Sequence, residues 1–390
     1  MVTWSYERTV LAACTLAFFA TMVARLVISP VVPLIAADFD VSNTAIGFAL
    51  TGMWFAYASA QFPSGLLGDR LGERRVILLA ISGTAVASGL LALSPVFPAF
   101  VLFTFVLGGV AGLHYSVATT LLSRIYTDIG TAIGIHSIGA PIAGLLAPVA
   151  AAYAGTQIGW RAGVALGMVA AIPSVLLFAW AVRPIEPTRP DESIRGRVSP
   201  GILTELLSRP PIAGALIVSV LLAFVWQGTA SFLPKFLVEH RSYSETTAGI
   251  VFSGYFVIQG VGQPAMGWVS DRAGRALSTA GCALAGVIGY TLYVVGPNPA
   301  SVVVATVFVG VAMSWSAAML PTFLDHMTAE EEGMGFGLVR TAYMVLGASG
   351  SVGVGLLADL FSWRISFLTL AGLQAVVVLA LLGTVVRGWR

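Results

Sequence analysis

The chain has 390 residues, of which 57% are hydrophobic and only 10% are charged. Soluble domains usually carry about 25% charged residues, so this composition cannot cover the surface of a soluble fold of this length. The 20 basic and 18 acidic residues give a net charge of +2. No basic face of the kind that binds nucleic acid is evident. The composition therefore predicts an integral membrane protein.

Long apolar segments alternate with short breaks of charged residues, proline and glycine. A membrane span needs about 20 apolar residues, because the hydrocarbon core is about 30 Å thick and a helix rises about 1.5 Å per residue. The predicted spans are residues 9–36, 43–66, 74–94, 97–122, 130–154, 160–182, 210–237, 245–269, 275–295, 299–323, 334–359 and 363–386. The sequence thus predicts an all-α integral membrane protein with twelve transmembrane helices.

One long polar segment, residues 183–209, divides the spans into two sets of six. We therefore expect a six-helix bundle over residues 1–182, a linker over 183–209 and a second bundle over 210–390. Lys and Arg favour cytoplasmic loops. With the N-terminus inside, fourteen basic residues lie on the cytoplasmic side and four on the outer side. Both termini are therefore expected in the cytoplasm, in a multi-pass protein of the cell membrane.

The two sets of spans repeat each other at an offset of about 202 residues. Residues 65–72 (GLLGDRLG) align with 267–274 (GWVSDRAG), and residues 42–47 (SNTAIG) align with 244–249 (SETTAG). The matches run in the same order over most of both halves. Six spans repeated in one orientation predict two pseudo-symmetric bundles with a pathway near mid-membrane.

Residues 65–75 (GLLGDRLGERR) resemble the signature between helices 2 and 3 of the major facilitator superfamily. A degraded copy follows the eighth span, as in that family, and the resemblance covers the whole chain. It implies a secondary transporter that works by alternating access. It also implies that Asp69 lies against the start of helix 11, with Arg70 and Arg74 paired to neighbouring carboxylates, while the glycines allow close helix approach. The implied gating residues are Gly65, Asp69, Arg70, Gly72, Arg74, Asp271 and Arg272.

No Asp or Glu lies near the middle of a predicted span, but four basic or imidazole side chains lie deep: Arg25, His114, His136 and Arg340. A buried Arg costs at least about 2.5–3.5 kcal/mol on insertion scales, and it keeps its charge. Its planar fork suits a carboxylate or a phosphate. We therefore expect these four residues to bind substrate. The alternative for Arg25 is a structural bond to backbone carbonyls.

Polar and aromatic side chains on the same helices complete the predicted substrate site. Helix packing would explain any single one of them equally well. Tyr343 lies three residues after Arg340, so the two share a helical face. The further candidates are Tyr57, Tyr115, Gln227, Tyr255, Gln259, Trp315 and Tyr343.

Two predicted helices are unusually rich in glycine and proline. Helix 5 carries Pro141 and Pro148 among four glycines, and seven glycines lie between Gly333 and Gly355 in helix 11. Small residues allow close crossing, and interruptions weaken a helix locally. Both helices are therefore candidates for moving gates.

These observations favour transport of a small organic anion, such as a carboxylate or a phosphorylated compound, by anion exchange or by proton symport. The alternative is a proton-coupled drug antiporter of the same superfamily, because residues 139–144 (GAPIAG) are similar to its helix 5 motif. Drug exporters of that family commonly carry an acid in helix 1, where this chain has Arg25. A non-transporting receptor is a third reading. We expect a monomer in the lipid bilayer that needs no cofactor or metal and is not an enzyme.

Overall fold

The computed structural model describes residues 5–184, 186–187, 200–328 and 331–386. Within these residues the regular secondary structure is entirely helical. The twelve long helices are α1 (Tyr6–Phe39), α2 (Asn43–Leu71), α3 (Glu73–Ala92), α4 (Phe97–Ile125), α5 (Ile129–Gln157), α6 (Trp160–Ala181), α7 (Pro210–Arg241), α8 (Glu245–Ala273), α9 (Arg275–Val295), α10 (Pro299–Leu324), α11 (Gly335–Leu360) and α12 (Trp363–Val385). The prediction of twelve helices is confirmed.

Ten of these helices are long and apolar enough to cross a membrane by length and composition, among the described residues. The other two, α2 and α8, are 29 residues long each. Both helices contain glutamine, and both end in the charged residues of the repeated segments 65–72 and 267–274. These polar residues lower the mean hydropathy of α2 and α8. A short helix, Pro200–Ser208, precedes α7, and residues 185 and 188–199 of the predicted linker lie outside the described residues.

Several long helices are interrupted. A 3₁₀ turn over Ser29–Val31 divides α1, and single residues divide α4 after Gly112, α5 after Ser137 and α11 after Gly347. In α5 the cause is Pro141, which has no N–H to donate to the carbonyl four residues earlier. The interruptions expected in helices 5 and 11 are therefore present.

The chain divides into two compact units. The first unit comprises Met1–Asp40 and Gly52–Val198, and the second comprises Val41–Thr51 and Ser199–Arg390. The start of α2 therefore belongs to the second unit, where the carboxylate of Asp359 accepts hydrogen bonds from the backbone N–H groups of Asn43 and Thr44 at 3.2 and 2.7 Å. These bonds satisfy donors that a helix N-terminus leaves open.

Glycines allow close helix packing inside the second unit. A Cβ atom at Gly347 of α11 would lie 2.5 Å from the Cβ atom of Ala223 in α7, and one at Gly350 would overlap the backbone of Phe224. Such approach of two backbones is what small residues permit in membrane proteins. Helix α11 is therefore seated against α7 along this glycine edge.

The turns after α2 and α8 are built alike. Gly72 and Gly274 have φ angles of 85° and 91°, in the region that favours glycine. In the first unit, Arg124 pairs with Glu73 at 2.6 Å, and Glu73 is fully buried. In the second unit, Arg275 pairs with Asp325 at 3.2 Å. The residue that follows the turn glycine thus forms an ion pair in both units. It is the acidic Glu73 in the first unit and the basic Arg275 in the second.

Candidate functional site

Arg25 lies at the end of the first segment of α1, and only 3% of it is exposed. Its Nε atom donates to the carbonyl of Thr21 at 3.1 Å, and its Nη2 atom lies 2.8 Å from the sulfur of Met22. Arg25 lies in the last turn of this segment, and the C-terminal end of a helix carries partial negative charge, which favours a cation there. The alternative role for Arg25, a structural bond to backbone carbonyls, is therefore present in part, since Arg25 bonds one carbonyl of its own helix.

Two aromatic rings of α2 also contact the Arg25 guanidinium. Its central carbon lies 3.8 Å from the centroid of the Tyr57 ring and 5.2 Å from that of Trp54. The two rings meet edge to face, with centroids 6.0 Å apart. Among the described residues, no carboxylate forms an ion pair with Arg25. The site is therefore a buried cation in an aromatic cage, with its charge uncompensated.

The second group in the first unit is an aromatic cluster around two histidines. The ring centroids of His114 and His136 are 5.5 Å apart, and both side chains are fully buried. Phe18 of α1 lies against both rings, at 6.0 and 5.1 Å, and Tyr115 lies 5.7 Å from His136. The structure therefore brings together three of the predicted site residues, His114, His136 and Tyr115.

The predicted residues of the second unit form two groups. Gln227 and Tyr255 are buried, and the Oε1 atom of Gln227 and the hydroxyl of Tyr255 have no hydrogen-bond partner among the described residues. Gln259 donates to the carbonyl of Met313 at 3.2 Å. Met313 and Ser314 interrupt α10 between Ala312 and Trp315, so this bond is a structural one.

Trp315 and Tyr343 form the other group of the second unit. Their rings meet edge to face at 5.9 Å, inside an apolar core that includes Phe323 and Val339. Arg340 is half-buried on α11, one turn before Tyr343. In this structure Trp315 and Tyr343 therefore pack in an apolar core. Substrate binding by Arg340 stays a prediction.

The predicted gating residues differ in their surroundings. Arg70 is exposed and Asp69 is half-buried, while Arg74 donates to the carbonyls of Val182 and Ala179 at 2.6 and 2.7 Å. The expected pairing of Arg74 with a carboxylate is therefore wrong, because the guanidinium is bonded to the last carbonyls of α6, where a cation is favoured. The close helix approach expected of the signature's glycines does not occur at Gly65, where a Cβ atom would meet nothing within 4 Å.

The repeated turn of the second unit is held by its own charges. Asp271 pairs with Arg275 at 2.6 Å, one helical turn away. The guanidinium of Arg272 stacks on the ring of Trp268 at 3.9 Å and donates to the carbonyl of that residue at 3.3 Å. These contacts order the turn locally.

Sequence reasoning did not assign Phe18 and Met22 to the site. Each is one apolar residue in a helix of apolar residues, so composition does not distinguish it. Spacing carries the available signal, since Met22 precedes Arg25 by three residues and Phe18 precedes it by seven, which puts all three on one face of α1.

The profile of the Major Facilitator Superfamily matches residues 14–244 and 215–388, which together span nearly the whole chain. The chain belongs to the Major Facilitator Superfamily. Among known members, it is 22% identical to the hexuronate transporter of Bacillus subtilis over 63% of this chain and 60% of that protein. It is 23% identical to the cis,cis-muconate transport protein of Acinetobacter baylyi over 71% and 69%. The chain thus spans less than two thirds of the hexuronate transporter. Two drug-export proteins, the tetracenomycin C resistance and export protein of Streptomyces glaucescens and the multidrug efflux pump LfrA of Mycolicibacterium smegmatis, match over 37% and 30% of this chain.

Solved structures of the same superfamily share the fold. A bacterial homologue of the human lysosomal transporter Spinster, in an inward-facing and occupied conformation, superposes with a TM-score of 0.82 over 97% of both chains at 16% identity. The chain is therefore a multi-pass membrane protein with the fold of the superfamily's transporters.

Proposed function

We propose that this protein is a secondary transporter of small organic anions and that Arg25 is the residue that holds the anion's acidic group. The observation that carries the proposal is the buried guanidinium of Arg25, which no described carboxylate neutralises. An isolated charge in the membrane is costly. A carboxylate or phosphate that binds there removes this cost and accepts hydrogen bonds from the planar fork.

The aromatic cage stabilises the empty site only in part. A cation over an aromatic ring gains about 2 kcal/mol or more when it is desolvated. The rings carry no negative charge, however, so they leave the charge of Arg25 in place. An anion bound there adds charge-assisted hydrogen bonds that the rings do not supply.

The same cage argues against the drug antiporter. Lipophilic cations are recognised by the faces of aromatic rings, and in this structure Arg25 occupies the faces of Trp54 and Tyr57. A cationic drug would also meet the positive charge of Arg25. Relatives named for the transport of hexuronate and of muconate, both organic acids, support the anion over the cation.

A thermal-shift screen of the purified protein tests this function. Binding to the folded state raises apparent stability by about 2.7 kcal/mol at a ligand concentration of 100 times Kd. We expect glucuronate, muconate or a small phosphorylated acid to raise the Tm, and tetraphenylphosphonium to leave it unchanged. We expect Arg25→Gln to lose the shift, while Arg364→Gln, a change at an exposed residue in the first turn of α12, keeps it. A shift with the cation and none with any acid would overturn the proposal.

A further inference from the structure

Two histidines of the first unit lie at the interruptions of their helices. His114 is the first residue after the break in α4, and His136 is the last residue but one before the break in α5. A short turn joins the end of α4 to the start of α5. His114 lies eleven residues before the end of α4, and His136 lies seven residues after the start of α5. At about 1.5 Å per residue, this places the pair roughly 10–17 Å inside the helical layer.

The ring nitrogens of this pair lack partners. None of the four has a hydrogen bond of good geometry among the described residues. The backbone of Cys14 faces the His114 ring from α1. A buried polar group without a partner costs about 1–3 kcal/mol, so the pair is a place where a ligand with a hydrogen-bonding or charged group gains stability. Imidazole is the side chain suited to taking and releasing a proton near neutral pH.

The surroundings of the pair are apolar or cationic. Phe18 packs on both rings, and the Tyr115 ring of α4 lies against His136. Among the described residues, His114 also meets the backbone of Cys14 and the charge of Arg25, both from α1. Within the described part of the chain, no carboxylate pairs with either ring. Arg25 is the cation that acts on His114, and its charge is the one that a bound anion would cancel.

Arg25 and the pair lie along one face of α1. Phe18, which contacts both imidazoles, precedes Arg25 by seven residues, which is two helical turns or about 10 Å. Arg25 acts electrostatically on His114, and two unit charges about 10 Å apart inside a protein change each other's proton affinity by roughly tenfold at an effective dielectric constant of about 20. An empty Arg25 opposes protonation of the pair, whereas an anion on Arg25 cancels that opposition. Linkage then requires that a proton on the pair strengthens anion binding by the same factor.

We propose that His114 and His136 together bind the proton that is carried with each anion. One proton adds to a ring nitrogen of either imidazole and leaves from it on the other side of the membrane. A second proton is disfavoured because the rings are 5.5 Å apart and like charges repel. The proposal rests on the proposed anion transport and selects proton symport over simple anion exchange.

Affinity for glucuronate as a function of pH is the first test. Carboxyl groups titrate near pH 4, so the ligand stays mainly ionised between about pH 5 and about pH 7. In the wild-type protein we expect the affinity to rise as the pH falls over this range, by up to about tenfold in total, which is the coupling factor between proton and anion. In His114→Gln/His136→Gln the remaining affinity should stay constant with pH. The double variant His240→Gln/His326→Gln removes the other two histidines of the chain and should keep the wild-type dependence.

Transport is the second test. In proteoliposomes, a proton gradient directed inward should accelerate glucuronate uptake by the wild-type protein and by the His240→Gln/His326→Gln control. It should not accelerate the residual uptake of His114→Gln/His136→Gln. If that variant does not fold, the wild-type protein alone decides, since glucuronate binding should take up protons from a weakly buffered solution at about pH 5–6.

The outcomes separate the two proposals. Wild-type transport that ignores the gradient, binding without proton uptake, or a histidine variant that keeps the pH dependence would overturn the histidine site and leave anion transport intact. A wild-type protein that neither binds nor exchanges any organic acid would overturn both.

Discussion

Arg25 differs from a lysine in its flat, forked head group. That head group stacks on Tyr57 at 3.8 Å while it bonds the carbonyl of Thr21. An ammonium in its place keeps the charge and loses both the stacking face and the two-pronged geometry for a carboxylate. Arg25→Lys is therefore expected to weaken anion binding by about tenfold or more, which corresponds to about 1.4 kcal/mol. A ligand titration of the purified variant by thermal shift measures this.

The matched control is Arg364→Lys, because Arg364 is exposed. Its affinity for the same acid should equal that of the wild-type protein. Unchanged affinity in Arg25→Lys would show that charge alone matters at this position, or that Arg25 only braces α1.

For single residues, the sequence predicts burial better than it predicts contacts. Arg25 stands out in an apolar segment, so its burial could be predicted. Its cage could not be predicted, because Trp54 and Tyr57 meet it only through the rotation of α2 about its own axis, which no local pattern specifies. The contact between His114 and His136 depends on helix rotation in the same way, so no local pattern predicts it.

At the scale of helices, the ion pair between Glu73 and Arg124 joins the start of α3 to the end of α4. Glu73 is fully buried, so Arg124→Gln leaves a buried carboxylate without its partner, and this costs about 3–5 kcal/mol. We expect a clear loss of Tm in Arg124→Gln and recovery of most of it in Glu73→Gln/Arg124→Gln, measured by intrinsic fluorescence.

The equivalent pair of the second unit supplies the control. Arg275 and Asp325 are 29% and 47% exposed, and Arg275 also holds Asp271. Exposed pairs contribute about 0–1 kcal/mol, so Asp325→Asn should change the Tm little. An equal loss in Arg124→Gln and Asp325→Asn would contradict the difference in burial on which this prediction rests.

The glycine edge of α11 gives a second prediction for helices. An alanine at Gly347 would place its Cβ atom 2.5 Å from Ala223, so Gly347→Ala should lower stability by about 1–3 kcal/mol through overpacking. Gly281 in α9 has nothing within 4 Å of the added atom, and Gly281→Ala should be neutral or stabilising by up to about 1 kcal/mol. Thermal unfolding of both variants measures this, and similar behaviour of the two would contradict the packing.

Helices as elements were more predictable than their interior detail. Apolar length located all twelve, because the bilayer demands that length. The breaks in α5 and α11 followed from proline and glycine. The break in α4 has no proline within it and lies beside three glycines, Gly108, Gly109 and Gly112. Because those glycines also serve helix packing, the pattern did not distinguish a break from a contact.

For the whole molecule, the distribution of Lys and Arg predicts that the N- and C-termini both lie in the cytoplasm. Cys14 and Cys282 are buried, so they do not compete with an introduced thiol. A cysteine at the exposed position 297, before α10, should react with a membrane-impermeant maleimide in intact cells. A cysteine at the exposed position 127, between α4 and α5, should react only after permeabilisation. The reverse pattern would contradict the predicted orientation.

Counterflow in proteoliposomes tests the central claim most directly. Vesicles that contain the purified protein are loaded with unlabelled glucuronate or muconate and then given a trace of the labelled acid outside. Anion transport at Arg25 predicts transient accumulation of the label with the wild-type protein and none with Arg25→Gln, with Arg364→Gln behaving as wild type. Counterflow of a lipophilic cation such as tetraphenylphosphonium, with none for any organic acid, would contradict it.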